Sequence, residues 1–439
     1  MPTPPLKKVL IITYYWPPAG GPGVQRVLKF AKYLPEFGWQ PIILTVKNGE
    51  YPAIDISLQK EIPANCIVYN TFSLEPNFVY KKFTGMGSDE KIPTAVLATE
   101  NNNWKKRLAN WIRLNIFIPD AKIGWIPFAV REGKKIIKEE KPDVIFSSSP
   151  PPTVHLIARK LAKWSGIKWV ADFRDPWTDI YHYSDVKRSP WSLNRDKDKE
   201  KEIITSAGKI ITVSQNVAEL LNEKIPNPRE IRIIPNGYDK SDFYNLEEEP
   251  AFDKFTIAYA GKINIQQNPS NLWKILGSMA RENLTSTANF QILLMGNITD
   301  EVIAEIKQNN LEKHLKNLGY VDHKTSLKNL KKSHVLLLLI PNTGKNKGIV
   351  TGKLFEYIAI EKFILGIGPK DGDAAEILAQ TNTGRMFAFN EIRDIRKEID
   401  RQYKNWQRGL TQKVSKEEIR KYSRQNQTLA LSNIFKVAE

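Results

Sequence analysis

The sequence predicts an α/β protein built from two doubly wound domains. Three observations carry this expectation. Between residues 9 and 234, apolar runs of strand length alternate with amphipathic helical stretches, the pattern of βαβ units and a parallel sheet. A turn-rich segment at residues 235–239 interrupts the alternation, which restarts at Thr256. The 439 residues exceed what a single hydrophobic core usually organises.

The first half begins with a buried strand at residues 9–13. A loop rich in proline and glycine follows (residues 14–23), then a helix on which Val24, Val27, Leu28, Ala31 and Leu34 share one face. A second strand at residues 41–46 completes a βαβ unit. Gly20, Gly21 and Gly23 allow a backbone to approach a ligand at the strand's carboxyl end, where open α/β sheets bind. They do not form a G-x-G-x-x-G fingerprint, so a binding loop and a plain turn both stay open. Residues 50–128 are less regular. Within them, residues 104–118 place Trp104, Leu108, Trp111 and Ile112 on one helical face, with Lys105, Lys106 and Arg113 elsewhere. That suits a helix lying on an anionic membrane surface, or an insertion packed on its own domain. A helix over 128–140, a strand over 143–147, a loop ending in an N-cap at Thr153 and a helix carrying Val154, Ile157, Leu161 and Trp164 come next. Strands at 168–173, 209–214 and 231–234 close this half.

The second half supplies strands at 256–260, 290–295, 318–321, 335–340 and 363–367. Its most informative stretch is 348–360. The apolar run from Val335 to Pro341 reads as a fully buried strand, followed by a polar loop of Gly, Asn and Lys. A helix then opens with Thr351 as N-cap and Leu354, Phe355, Ile358 and Ala359 inward. Unpaired amides and the helix dipole make such a terminus an anion site. Lys353 adds a positive charge there. Glu356, about one turn inside, is placed to accept hydrogen bonds from hydroxyls beside a bound phosphate. The tail from Ser415 is polar and helix-forming, with Tyr422, Leu429, Ile434 and Phe435 as anchors.

A net charge of +17 calls for an anionic partner: nucleic acid, an anionic membrane surface or phosphorylated substrates. The bases are dispersed, without a basic tail, zinc-finger spacing or nucleic-acid motif, so nucleic acid is not expected. No apolar run reaches the ~20 residues of a spanning helix, and no secretory signal is read after Met1. The single cysteine, Cys66, fits a reducing compartment.

Few other residues suggest chemistry. Lys262, just after the strand at 256–260, can neutralise a diphosphate electrostatically. Asp172, Arg174 and Asp175 lie at a strand end; Asp172 and Arg174 have strand-like spacing and can share a face, and Asp175, in the loop before a proline, can orient or deprotonate a hydroxyl. A structural Asp/Arg pair is the competing reading. Asp373 and Glu376 have capping-box spacing, which is preferred over a metal site with Asp371. His155, His182, His314, His323 and His334 lack metal-ligand spacing, and no G-x-S-x-G or P-loop occurs.

Five stretches in order resemble the retaining glycosyltransferases of family 4, which have the two-domain GT-B fold. They are PAGGPGV at 18–24, IPNGYD at 234–239, YAGK at 259–262, GYVD at 319–322 and KLFEYIA at 353–359. The resemblance implies two Rossmann-like domains facing a cleft: residues 1–236 for the acceptor and 237–414 for a nucleotide sugar, with 415–439 crossing back to the first. It implies that Gly20 and Gly21 approach the donor phosphate and that Lys262 contacts the diphosphate. The backbone of Tyr320 and Val321 would hold the base, and Glu356 the ribose hydroxyls. Asp175 stands where the family has a histidine or carboxylate near the reacting sugar. Two positions depart from the family. Gly348 stands where a glutamate usually holds the donor sugar, and Asn268 where a second base meets the diphosphate; Lys353 is a candidate substitute for the latter.

The expected protein is a retaining, metal-independent hexosyltransferase. It needs no cofactor beyond its nucleotide-diphosphate sugar co-substrate, and its acceptor is a lipid-linked or cell-surface saccharide. The expected location is cytoplasmic, at the inner face of the plasma membrane. A nucleotide-sugar epimerase of the same fold and a non-catalytic nucleotide-sugar binder are the alternatives.

Overall fold

A computed structural model of the chain describes residues 6–47, 49–75, 104–179, 188–244, 246, 249–282, 289–344 and 346–438. The chain divides into two compact units. One comprises Met1–Pro235 with Arg424–Glu439, the other Asn236–Ser423.

The first unit holds a seven-stranded parallel sheet: β1 (Lys7–Ile12), β2 (Trp39–Val46), β3 (Ile67–Thr71), β4 (Val144–Ser149), β5 (Trp169–Phe173), β6 (Lys209–Thr212) and β7 (Ile231–Ile233). Their order is β3-β2-β1-β4-β5-β6-β7, so the direction of winding reverses between β1 and β4. Leu10, Ile12, Ile42 and Leu44 face one core layer, and Val9, Ile11 and Ile43 face the other. Burial on both faces makes these strands continuous apolar runs. The C-terminal helix Arg424–Ala438 completes the second layer. Its Phe435 ring lies 5.2 Å from Trp39 and 5.6 Å from Phe146.

The second unit holds a six-stranded parallel sheet: β8 (Phe255–Ala260), β9 (Phe290–Met295), β10 (Leu315–Asn317), β11 (Val335–Leu339), β12 (Phe363–Ile367) and β13 (Gly384–Phe387). The order is β10-β9-β8-β11-β12-β13, again reversing between two central strands, β8 and β11. Such switch points open crevices at the carboxyl ends of strands. The two doubly wound α/β units expected from the sequence are therefore present.

Several local expectations need correction. The strand expected at 318–321 is a loop, because Gly319 has φ +61°; pairing with β9 instead uses Leu315–Asn317. β3 and β13 were not read from the sequence. β3 is a half-exposed edge strand and β13 is only four residues long, so neither has a clear pattern. Thr153 is the first helical residue rather than the cap, and its hydroxyl bonds to Asp120 at 2.9 Å. Gly372, not Asp373, caps Asp373–Thr381. Leu429 is exposed, and Leu431 takes the buried position beside Phe435. Tyr422 packs in the second unit, 5.6 Å from the Phe355 ring. Within residues 104–118, the side chains of Trp104, Lys105 and Lys106 lie outside what the structure describes, as does His182.

Candidate functional site

In the second unit, the candidate residues converge on the carboxyl ends of β8 to β11. β8 runs into Gly261 and Lys262, and β9 into Gly296. Gly261 and Gly296 have φ of +134° and +116°, a conformation that L side chains rarely adopt. The two turns also touch: a Cβ on Gly296 would come within 2.2 Å of the Gly261 carbonyl oxygen. Adjacent strand ends are thereby drawn into a tight backbone floor.

The helix Gly352–Ile360 starts beside this floor. Thr351 occupies the N-cap position with extended backbone, yet its side chain caps nothing. Its hydroxyl is buried and has no hydrogen-bond partner among the described residues, and the same holds for Thr343 in the preceding loop. Buried polar atoms are seldom left unmatched. A buried, unmatched hydroxyl at an uncapped helix start matches what an anion would occupy.

Lys353 turns back onto β8. Its ammonium donates to the Tyr259 hydroxyl at 2.6 Å and lies 4.4 Å from the ring centre, and that hydroxyl donates to the Lys262 carbonyl at 2.7 Å. The Nζ would sit only 2.3 Å from a Cβ on Gly261, so glycine is needed to admit it. No carboxylate ion-pairs with Lys353 among the described residues. Burial pulls its ammonium down to about 8, with Glu356 acting in the opposite direction. Lys262 is exposed and makes no ion pair among the described residues.

Glu356 accepts from or pairs with His323 Nε2 at 3.0 Å, on the exposed side of the helix. Tyr320 is 90% exposed in the loop after β10, and Val321 packs partly into the core. Gly348 and Lys347 lie in the loop after β11, tied to the next strand's loop by the bond from the Asp373 amide to the Lys347 carbonyl, 2.9 Å. Asn268 does not face this floor freely. Its amide bonds to Glu305 and Ser270, and its carbonyl accepts from Trp273 at 2.8 Å. A cation there would lose that arrangement, which gives a physical reason for the departure noted in the sequence. The sequence assigns no site role to Tyr259, Tyr357, Gly296 or His323. Tyr259 and Tyr357 are apolar-looking strand and helix positions whose hydroxyls fasten the floor; Tyr357 accepts from the Ala260 amide at 3.0 Å.

In the first unit, the loop after β1 carries Gly20 and Gly21. Gly20 is buried, and its amide already donates to Ala53 at 2.9 Å. A Cβ there would meet Asp55 at 3.1 Å, so packing explains this glycine. Gly21 is exposed, with φ +86°, and caps the helix Pro22–Tyr33. Asp172 does not pair with Arg174, as its spacing had suggested. It forms a buried two-bond pair with Arg26, both contacts 2.9 Å, and also accepts from Ser148 at 2.7 Å. Arg174 instead binds the carbonyls of Gly23, Ser149 and Pro150, clamping the glycine loop to the proline loop. Asp175 is exposed beyond this clamp; burial lowers the Arg174 guanidinium, opposed first by Asp172 and then by Asp175. His155 is a core residue, held by Ser147 and Ser149 at 2.8 Å each, and burial pulls it down to about 3. A cavity of about 270 Å³ opens where the loops after β1, β4 and β5 meet. Among the described residues, no group of three His, Cys, Asp or Glu side chains is arranged to hold a metal ion.

Residues 94–242 match the family model described as Glycosyltransferase Family 4. This stretch of the chain, about a third of its length, is therefore similar to the family 4 glycosyltransferases. Solved glycosyltransferases share the chain's fold across both units. A glycosyltransferase from Rickettsia africae ESF-5 is 17% identical, with a TM-score of 0.63, covering 99% of this chain and 98% of its own. The lipopolysaccharide outer core galactosyltransferase WaaB is 15% identical with a TM-score of 0.56, covering 98% and 99%. Anabaena Alr3699/HepE, solved in complex with UDP and glucose, is 12% identical with a TM-score of 0.54, covering 98% and 97%. Comparison with curated proteins finds no match. The class expected from the sequence, a glycosyltransferase of the GT-B fold, therefore stands.

Proposed function

We propose that this glycosyltransferase moves a sugar from a nucleotide-diphosphate donor to a saccharide acceptor with retention of anomeric configuration and without a metal. One observation carries the donor half: the buried Lys353 ammonium, without a carboxylate partner, beside the unpartnered Thr351 hydroxyl and the start of Gly352–Ile360. A diphosphate supplies the missing charge and acceptors at once. Lys262 adds a second cation, Glu356 takes the ribose hydroxyls after releasing His323, and the Tyr320–Val321 backbone receives the base. Gly21 offers an open amide at a helix start. Asp175 orients the acceptor hydroxyl or stabilises charge on the departing sugar. The stabilisation of the leaving group is electrostatic throughout, which is why no metal is invoked. A complex of HepE with UDP and glucose supports the donor class by analogy of fold.

Incubating the protein with nucleotide sugars and an acceptor in excess EDTA tests this. Transfer with the donor's anomeric configuration kept in the NMR spectrum is the expected result. Inversion, or a requirement for divalent cation, refutes it. Epimerised donor formed without acceptor favours the epimerase reading.

The acceptor is a lipid-linked or cell-surface saccharide, handled at the inner face of the plasma membrane. Among the described residues, no helix is long and apolar enough to cross a membrane. The helix Trp104–Asn115 contains no acidic residue and exposes Leu108 and Trp111, at 42% and 53%. A basic, aromatic surface of this kind suits anionic lipid. Trp111→Ser is expected to reduce flotation with vesicles containing anionic lipid; unchanged flotation removes the surface role.

A further inference from the structure

The cavity at the carboxyl ends of β1, β4 and β5 has a composition that defines a substrate class. Its walls are ring-shaped and apolar: Tyr15, Phe117, Trp177 and the run Pro150, Pro151 and Pro152. Flat rings and prolines form surfaces on which the C–H faces of a pyranose can stack. At about 270 Å³, the cavity suits one or two sugar rings rather than an extended chain.

Its charged groups are unequal. Arg188 is committed to Asp196 at 2.7 Å and to the Leu114 carbonyl. Lys122 is paired with Glu75 and lies over the Tyr14 ring. Asp120 accepts from the Thr153 amide and hydroxyl at 2.9 Å and from the Lys122 amide at 2.8 Å, so its oxygens are occupied. Trp177 spends its indole N–H on Asp196 at 2.8 Å. Arg113 is different: it lines the cavity, is partly buried and has neither an ion pair nor a hydrogen bond among the described residues. A guanidinium offers five donors in a fork suited to a carboxylate or phosphate.

We infer that this cavity is a subsite for an acidic saccharide, with Arg113 holding a carboxylate or phosphate carried on the acceptor sugar. The inference rests on reading the first unit as the acceptor half. Two sources share the chemistry: a uronic acid and a sugar phosphate such as the head of a lipid-linked acceptor. Asp175 follows the same strand as Trp177 and lies two residues before it, which puts part of the stacking wall and the candidate catalytic carboxylate on one loop.

Ligand-observed NMR titration of the full chain tests this with methyl β-D-glucuronide, glucose 1-phosphate, methyl β-D-glucoside and inorganic phosphate. At least one charged sugar is expected to bind about tenfold more tightly than the neutral glucoside. Which charged sugar wins identifies the source. In Arg113→Met that preference should fall to near unity, and in Arg113→Lys it should return in part. Binding of a nucleoside diphosphate should be the same in all three proteins, showing that the variants are folded and keeping this result separate from the donor assignment. Equal binding of charged and neutral sugars by the wild type, or a preference that survives in Arg113→Met, overturns the inference. So does inorganic phosphate binding as tightly as glucose 1-phosphate, since the rings would then contribute nothing.

Discussion

Lys353→Met is expected to weaken binding of a nucleotide sugar by about 30-fold or more while leaving the fold intact. The size follows from a charge-assisted hydrogen bond to a buried diphosphate, worth roughly 2–3 kcal/mol. The fold should survive because methionine keeps the aliphatic stem against Tyr259 and Gly261 and removes only a buried charge. Titration with pH supplies a second signature. In the free protein, burial lowers the Lys353 ammonium to about 8, so it is charged at neutral pH and loses its proton above that value. A diphosphate favours the charged form and raises the value again. Donor affinity should therefore hold below pH 8 and fall as pH rises beyond it, by linkage between proton and ligand. A nucleotide sugar is the right probe, because its diphosphate has no ionisation of its own in this range. The decline should vanish in Lys353→Met. In the free wild-type protein the converse is expected: this group's burial cost is present below pH 8 and relieved as pH rises toward the unfolded lysine value.

Asp175→Asn is expected to lower kcat by at least about 100-fold with donor affinity unchanged, in the range typical of a lost acid–base or charge-stabilising group. The substitution is nearly isosteric at an exposed position. The clamp below it does not depend on Asp175, because Arg174 is held by three backbone carbonyls. A loss confined to kcat would place Asp175 at the reacting centre; equal activity would leave it a surface residue that modulates Arg174. Single-turnover measurement separates the chemical step from product release.

The parts of the fold that were legible in the sequence share a physical property. β1, β2, β4, β8 and β11 are buried on both faces, so their apolar runs stand out. The return of the tail was legible in Phe435 but not in Leu431, because the helix is polar overall and its buried face is narrow. Edge strands escaped notice: Lys316 and Asn317 in β10 are exposed, while the nearby apolar residues Leu318 and Val321 are in a loop. For the site, residue type and spacing located Lys262, Thr351, Lys353 and Glu356 at strand ends and a helix start. They did not disclose direction. That Lys353 points inward is a property of Tyr259, 94 residues away, and of the absent Cβ at Gly261. That Asp172 pairs with Arg26 depends on a contact across 146 residues. Spacing along the chain suggested the wrong partner, since the helix Pro22–Tyr33 supplies the nearer charge. Gly20 and Gly21 looked equivalent, but only Gly21 has an open surface once residues 53–55 are packed.

On the proposed function, the second unit holds a nucleotide sugar at the start of Gly352–Ile360, with Glu356 on the ribose. Isothermal titration in EDTA of a panel of UDP-, GDP-, ADP- and dTDP-sugars tests it most directly, comparing the wild type with Glu356→Ala. Saturable one-to-one binding of at least one donor by the wild type is expected, weakened about tenfold or more in a folded Glu356→Ala protein, where two ribose hydrogen bonds to a charged group are lost. No binding by any donor at millimolar concentration, or the same affinity in Glu356→Ala, would contradict it.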